Sequence, residues 1–458
     1  MKRSNEFFLR GPLLPSILRY TVPIILTGAL QLFFNAADLI IVGRYCSSDC
    51  VGAVGSTGAT TNLVVTLFMG LSIGGGVCVA HALGAGDDNA AHRAVHTALP
   101  TALICGSIVT VLGIFLTEPL LKLMGTPEEL LPLSKLYMQI YFGGMTFNMV
   151  YNYCGSILRA AGDTRSPLIY LCFAGAANVG LNILFVTQFG MDVDGVALAT
   201  TLSQGISAVL CVRNLMRRTD ACRLELKKMR IYKPELVKMI RIGLPAGVQN
   251  GMFSISNVII QSSINSFGPA FVNGNSAAAN IEGFMWVFSN AFQQASLNFV
   301  GQNHGANQPK RAAKALWLCL GSAFVVCLSL GLLASYFGEE LLSIYITDSP
   351  EAITYGLIRV ARIFPVYFLF GLMDSTTGAL RGRGASLAPM LISIVGICGI
   401  RLGWIFTIFR IPAYHTPESL YLSFPLSWAI TFCGLLIAFT IITRRARRKE
   451  THNLAAAS

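Results

Sequence analysis

The chain has 458 residues, 53% of them hydrophobic and only 12% charged, with 34 Lys and Arg against 22 Asp and Glu and a net charge of +12. A soluble chain of this length carries about twice that share of charge, so composition argues against a soluble enzyme or binding module and for a polytopic, all-α membrane protein. The twelve cysteines sit singly, mostly within apolar runs and without a CxxC pair. Only Cys46 and Cys50 share a loop, which argues against a disulfide framework and offers no metal-binding spacing.

In chain order, the start MKRSNEFFLRGPLLP is basic and leads into an apolar segment too long for a cleaved signal. Hydropathy then predicts twelve spans, at roughly 16–43, 54–80, 95–116, 134–157, 167–187, 195–215, 239–265, 275–300, 313–337, 356–379, 387–409 and 423–443. Each must be helical, because backbone groups in lipid are satisfied within their own segment. The first, TVPIILTGALQLFFNAADLIIVGR, holds Pro23 and Asp38. Apart from Lys135 and Arg213 at the ends of their spans, neither its apolar part nor the next five spans contain a lysine or arginine. A carboxylate at that depth with no cation to pair with is a functional-site candidate.

Only two other acids fall inside spans, Glu282 and Asp374, and, once the basic residues toward span ends are counted with the flanking segments, only Arg401 is left as a basic residue within one. Arg401 is therefore the expected partner of one of these acids; an unpaired one would attract cationic compounds, and Glu282 is the first choice for that. Gln249 and Asn250 in span 7 are cavity candidates, since an amide exposed to lipid is costly. Tyr137 and the Met252–Phe253 and Phe284–Phe288 aromatics and methionines are candidates for an adaptable apolar lining. Pro23 and Pro245 lie near the start of the first helix of each half, where a missing backbone hydrogen bond makes a kink or a hinge. The six histidines are expected in loops or tails. No GxxxxGK[ST] loop occurs, so ATP is not the expected energy source.

With the N-terminus on the cytoplasmic side, 27 of the 34 basic residues fall on inner segments. Six lie outside (Arg44, Lys122, Lys135, Arg359, Arg362 and Arg410), and Arg401 is left within a span. The basic excess is thus a topology signal and a contact with anionic lipid, and nucleic acid is not required. The longest connection, near 217–238, is basic and polar and divides the chain into 1–225 and 226–458.

The halves repeat. Arg19–Pro23 matches Arg241–Pro245, Gly84-Ala matches Gly305-Ala, and Leu158-Arg159…Gly162 matches Leu380-Arg381…Gly384, all at one nearly constant offset. Two parallel six-helix lobes are expected, related by a pseudo-two-fold axis along the membrane normal, with a cavity between them.

At these residues the chain resembles the multidrug and toxic compound extrusion (MATE) transporters over nearly its whole length. The carrying motifs are Pro23…Asp38-Leu-Ile-Ile-Val-Gly43-Arg44, Gly84-Ala-Gly-Asp87, LRAAGDTRSP at 158–167, Asn178-Val-Gly-Leu-Asn182, Gly195–Thr200 and Val300–Ala306. The wording YNYCGSILRAAGDT is most like Gram-positive, clostridial-type members. The resemblance implies export of cationic or amphipathic compounds by alternating access, driven by H+ or Na+, with no other cofactor, in a monomer of the bacterial plasma membrane. It maps a cation site onto Asp38, Asn178, Asn182 and Thr200. Many members carry an aspartate where this chain has Asn182, and the lost charge favours H+ over Na+. A lipid-linked saccharide flippase of the same superfamily, or an intramembrane enzyme pairing Asp38 with Asp374, are the rival readings.

Overall fold

A computed structural model of the chain describes residues 6–46, 48–123, 126–347 and 349–457, so Lys2 and Arg3 of the basic start lie outside the described residues. The helices of the first half are α1 (Leu13–Tyr45), α2 (Ser48–Ala85), α3 (Asp88–Leu123), α4 (Leu131–Gly143) with α5 (Met145–Ala160), α6 (Arg165–Thr187) and α7 (Val193–Arg217). Those of the second are α8 (Lys233–Asn265), α9 (Pro269–Gly305), α10 (Pro309–Tyr336), the short α11 (Gly338–Ser343), α12 (Pro350–Ile363) with α13 (Phe368–Gly382), α14 (Leu387–Ser393) with α15 (Ile400–Phe406), and α16 (Pro417–Ala457). A π-helical stretch, Ile394–Gly399, joins α14 to α15. Counting each broken pair as one rod and setting aside the six-residue α11 gives six rods per half among the described residues, the predicted all-α architecture.

Among the described residues, eight helical segments are long and apolar enough on their own to cross a membrane, and the pair α12–α13, bent by 51°, makes a ninth. α4 and α5, of 13 and 16 residues, are each too short for that measure, and α8 and α9 fall short because they are polar. α9 carries Asn275, Glu282, Gln293 and Asn298 and buries much of its length against its neighbours. A rod surrounded by protein holds polar groups that a lipid-facing rod does not tolerate.

The chain forms two compact units: the body of the first is Val22–Gly251, and the second combines Phe8–Thr21 with Met252–Ser458. Each unit therefore takes the N-terminal part of a long helix whose remainder belongs to the other. In the first unit the reason lies in glycine. A Cβ on Gly70 would sit 2.1 Å from the backbone nitrogen of Gly247, and one on Gly74 would sit 2.1 Å from the Met239 carbonyl oxygen. Gly70 and Gly74 on α2 thus meet Gly243 and Gly247 on α8 backbone to backbone, the small-xxx-small contact of helices in lipid. Gly247→Ala is expected to cost about 1–3 kcal/mol and lower the unfolding midpoint of detergent-solubilised protein. Gly251→Ala, whose Cβ would make an ordinary 3.5 Å contact with Leu67, is expected to leave it unchanged.

The long connection is tied down within the first unit. Glu225 N–H donates to His96 Nε2 at 3.0 Å, Tyr232 N–H donates to Thr97 Oγ1 at 3.2 Å, and Arg93 pairs with Glu235 at 2.6 Å. Burial works against an ionised Asp220, but the hydrogen-bonded Arg218 guanidinium outweighs it and holds that carboxyl below the usual carboxylate range. Not all histidines lie in loops: His81 is on α2, and His92 and His96 are on α3, with His96 fully buried. Hydropathy misses His96 because its polarity is satisfied on both nitrogens, the Nδ1–H by the His92 carbonyl at 2.8 Å.

In the second unit the N-terminal segment is anchored by its aromatics and carbonyls. The Phe8 and Tyr20 rings pack on Phe299, with centroids at 4.6 and 5.7 Å. Arg311 and Asn303 donate to the Phe8 carbonyl, each at 3.2 Å. The internal repeat extends to backbone conformation. Gly86 and Asn307, which correspond to one another in the repeat, both adopt left-handed φ, at 70° and 56°. The corresponding pair Gly162 and Gly384 does so at 85° and 78°. Asn307 is the one non-glycine residue with positive φ among those described, and asparagine is the side chain that best tolerates it.

Candidate functional site

The candidate cation site is built where α1 meets α6 in the first unit. Gly175, Asn178 and Asn182 recur at helical spacing on one face of α6. A Cβ on Gly175 would lie 1.9 Å from the Phe34 ring, so the glycine lets α1 seat Phe34 directly on α6. One turn further along α1, Asp38 is then opposite Asn182. Asn182 is fully buried and donates its Nδ2 to Asp38 Oδ1 at 2.6 Å and to Asn178 Oδ1 at 3.3 Å. Asn178 Nδ2 in turn reaches Thr200 Oγ1 on α7 at 3.5 Å, and that hydroxyl donates to the Val196 carbonyl at 3.0 Å.

The four residues expected to act together are therefore joined in one hydrogen-bonded row. Asp38 is half-buried and has no ion-pair partner among the described residues. Asn182 Oδ1 is buried without a hydrogen-bond partner, which leaves an amide oxygen free beside the carboxylate. The row offers carboxylate, amide and hydroxyl oxygens, the ligand chemistry of a hard cation. Tyr137 on α4 packs beside it, against the apolar cluster that contains Val42, one turn after Asp38.

The other candidates are placed elsewhere. Gln249 is buried and Asn250 half-buried on the part of α8 that belongs to the first unit. Glu282 and Asp374 belong to the second, and their partners correct the expectation. Arg359, assigned by sequence to an outer segment, is 8% exposed and pairs with Glu282 at 2.6 Å. Its other nitrogens reach Asn275 Oδ1 at 2.5 Å and Glu282 Oε2 at 3.3 Å, while the Tyr421 hydroxyl shares Asn275 Oδ1 at 2.9 Å.

Arg401 pairs with neither acid. It donates to Ser427 Oγ at 3.0 Å and lies over the Phe424 ring, 4.0 Å from the centroid. Arg359 stands 5.8 Å from the same ring. Phe424 thus lies within cation–π range of two guanidiniums. Sequence reading missed Arg359 because the residue sits near the end of an apolar run, where hydropathy cannot separate a loop from a buried turn. Arg381 and Arg383, also counted as loop residues, are buried as well, at 2% and 7% exposure.

Asp374 is held by neutral donors, Ser289 Oγ at 3.2 Å and a close contact from Gln293 Nε2, one helical turn apart on α9. It makes no ion pair among the described residues. Of the two acids, Glu282 is ion-paired, whereas Asp374 is not, among the described residues, and has the buried Arg381 as an electrostatic neighbour.

The loop motifs act as helix caps. Asp87 accepts the Ala90 N–H at 2.8 Å, and Asp163 accepts Ser166 N–H and Oγ–H at 3.0 and 2.6 Å. Asp163 also meets Arg218, at 3.8 Å.

Comparison with known proteins places the chain in a family and supports the fold. The family model described as MatE matches the chain twice, at residues 23–185 and 245–406, two copies that begin at the paired prolines of the repeat, Pro23 and Pro245. A probable multidrug resistance protein of Bacillus subtilis, YpnP, is 27% identical over 396 residues, covering 86% of this chain and 88% of that protein. The probable multidrug resistance protein NorM of Thermotoga maritima is 26% identical over 398 residues, covering 84% and 83%. Among solved structures, a MATE protein in complex with MaL6 superposes with a TM-score of 0.90 at 19% identity, covering 98% of this chain and all of that one.

Proposed function

Since this chain belongs to the MatE family of multidrug efflux transporters, we propose that it is a secondary active antiporter. It exports cationic or amphipathic compounds by alternating access, in exchange for a cation taken up at Asp38. The observation that carries this reading is the row Asp38–Asn182–Asn178–Thr200, with its uncompensated carboxylate and the orphaned Asn182 Oδ1. H+ is favoured over Na+. A proton needs only the free Asp38 oxygen, whereas Na+ requires the Asn182 amide to turn its oxygen toward the carboxylate, with one acid in place of two to balance the ion.

One charge is sufficient: crossing ~150 mV supplies roughly 3.5 kcal/mol at ~2.3 kcal/mol per 100 mV. At ~1.4 kcal/mol per tenfold this sustains a concentration ratio of several hundred.

On the substrate side, Asp374 attracts the cation, and Gln249, Asn250 and Tyr137 contribute polar contacts. Glu282 serves through its pairing with Arg359. The protein acts as a monomer in the bacterial plasma membrane with both termini cytoplasmic. A flippase for lipid-linked saccharides is less favoured: Arg359, Arg381 and Arg383 are buried as Arg401 is, but Glu282 balances Arg359 and Asp374 acts on Arg381.

Pro23 is buried inside α1, and the Thr27 hydroxyl donates to its carbonyl at 2.7 Å. As a hinge, Pro23→Ala is expected to slow efflux several-fold while leaving drug affinity unchanged, read by transport rate and equilibrium dye binding. Equal loss of both would assign Pro23 to the binding surface.

The deciding experiment is ethidium efflux from vesicles of defined orientation, with proton and sodium gradients imposed separately. Efflux that follows neither gradient would overturn antiport; efflux that follows sodium alone would overturn the preference for H+.

A further inference from the structure

A second cluster of cation ligands lies at the far end of α1. Cys46 follows the last residue of that helix, its N–H donating to the Val42 carbonyl at 3.0 Å. Cys50 stands in the first turn of α2, fully buried, and Asp192 immediately precedes α7. Their two Sγ atoms and a carboxylate oxygen all lie within 4.8 Å of one another. The spacing Cys-x3-Cys has no metal signature by itself; the fold adds the third ligand from the far end of the first half of the chain.

We propose that Cys46, Cys50 and Asp192 form a binding site for a thiophilic divalent cation of the Zn2+ and Cd2+ type. Two thiolates select a soft or borderline ion over Mg2+, Ca2+ or Na+. A tetrahedral ion with Zn–S of about 2.3 Å holds its ligands roughly 3.5–3.8 Å apart, which is small side-chain movement from the spacing found. Each thiol releases its proton to solvent as the metal–sulfur bond forms. Cys50, Val42, Ala53, Val186, Val193 and Val196 form an apolar wall on one side, against which half-buried Cys46 packs. With three protein ligands, water takes the fourth position, and the ion is exchangeable.

The site ties three elements together, two of which also carry the row described above. Cys46 follows Asp38 by eight residues on the α1 side, and Asp192 precedes Thr200 by eight on α7. A bound ion would fasten the end of α1 to the connection between α6 and α7.

The test uses full-length protein in lipid nanodiscs, kept reduced, titrated with Cd2+ and followed by the thiolate-to-metal charge-transfer band, with Zn2+ as competitor. We expect one tight equivalent in the wild type, its loss in the Cys46→Ser/Cys50→Ser double variant, and roughly tenfold weaker binding in Asp192→Asn. Cys172→Ser/Cys433→Ser, which removes the two exposed thiols, is expected to bind as the wild type. Metal-free unfolding midpoints identify any variant that fails to fold, and Asp192→Asn then carries the test. Undiminished binding in both the double cysteine variant and Asp192→Asn, or no binding by the wild type at micromolar Cd2+, would overturn the proposal.

Discussion

Asp38→Asn is expected to abolish uphill export while leaving the protein folded and able to bind dye. The substitution is nearly isosteric and retains an oxygen to accept the Asn182 N–H now held at 2.6 Å. What disappears is the one group of the row that changes charge. Without it, the roughly 3.5 kcal/mol that one ion supplies across ~150 mV no longer enters the cycle. Efflux then runs only down the drug's own gradient. In vesicles, the steady-state ethidium ratio should fall from several hundred toward one under either ion gradient, with dye binding retained. Undiminished accumulation in the variant would remove Asp38 from the coupling.

Glu282→Gln is expected to act on stability first and transport second. The variant leaves Arg359 buried with an amide in place of its counter-charge, a change that costs about 3–5 kcal/mol when a buried pair is broken from one side. Thermal unfolding in detergent should show a large drop, and Arg359→Met added to Glu282→Gln should recover most of it. Asp374→Asn should do the opposite. Its hydrogen-bond partners, Ser289 and Gln293, are neutral, and the buried Arg381 acts on it only through space, so stability should fall less than in Glu282→Gln while export of cationic dyes falls more than that of neutral ones. A stability loss in Asp374→Asn as large as that in Glu282→Gln would erase the distinction between the two acids.

The residues legible in sequence were those whose chemistry clashes with their surroundings. Asp38 stands out because nothing in six apolar spans neutralises it, and Asn178 and Asn182 follow from helical spacing together with the family motifs. Gly175 was not legible: its importance comes from Phe34, five helices earlier in the chain, lying where a side chain would be. Arg359 was misplaced for a related reason. A guanidinium compensated by Glu282, Asn275 and the ring faces of Tyr421 and Phe424 pays no visible penalty in the fold, yet composition assigns every arginine to water. Polar residues satisfied by distant partners are invisible to a local reading, and α9, rich in them, is the rod that hydropathy describes least well.

The glycine contact between α2 and α8 also has a bearing on how the chain is made. Synthesis delivers α2 to the membrane long before Gly243 and Gly247 leave the ribosome, so its Gly70–Gly74 face waits uncovered while α3 to α7 are inserted. A nascent chain that stops at Glu225 has every helix of the first half and still lacks the surface that closes it. The first unit matures only after translation has entered the second half, and Phe8–Thr21, among the earliest segments made, waits for Phe299 and Arg311. Each compact unit thus draws on both halves of the repeat, and neither is complete until the second half is being made.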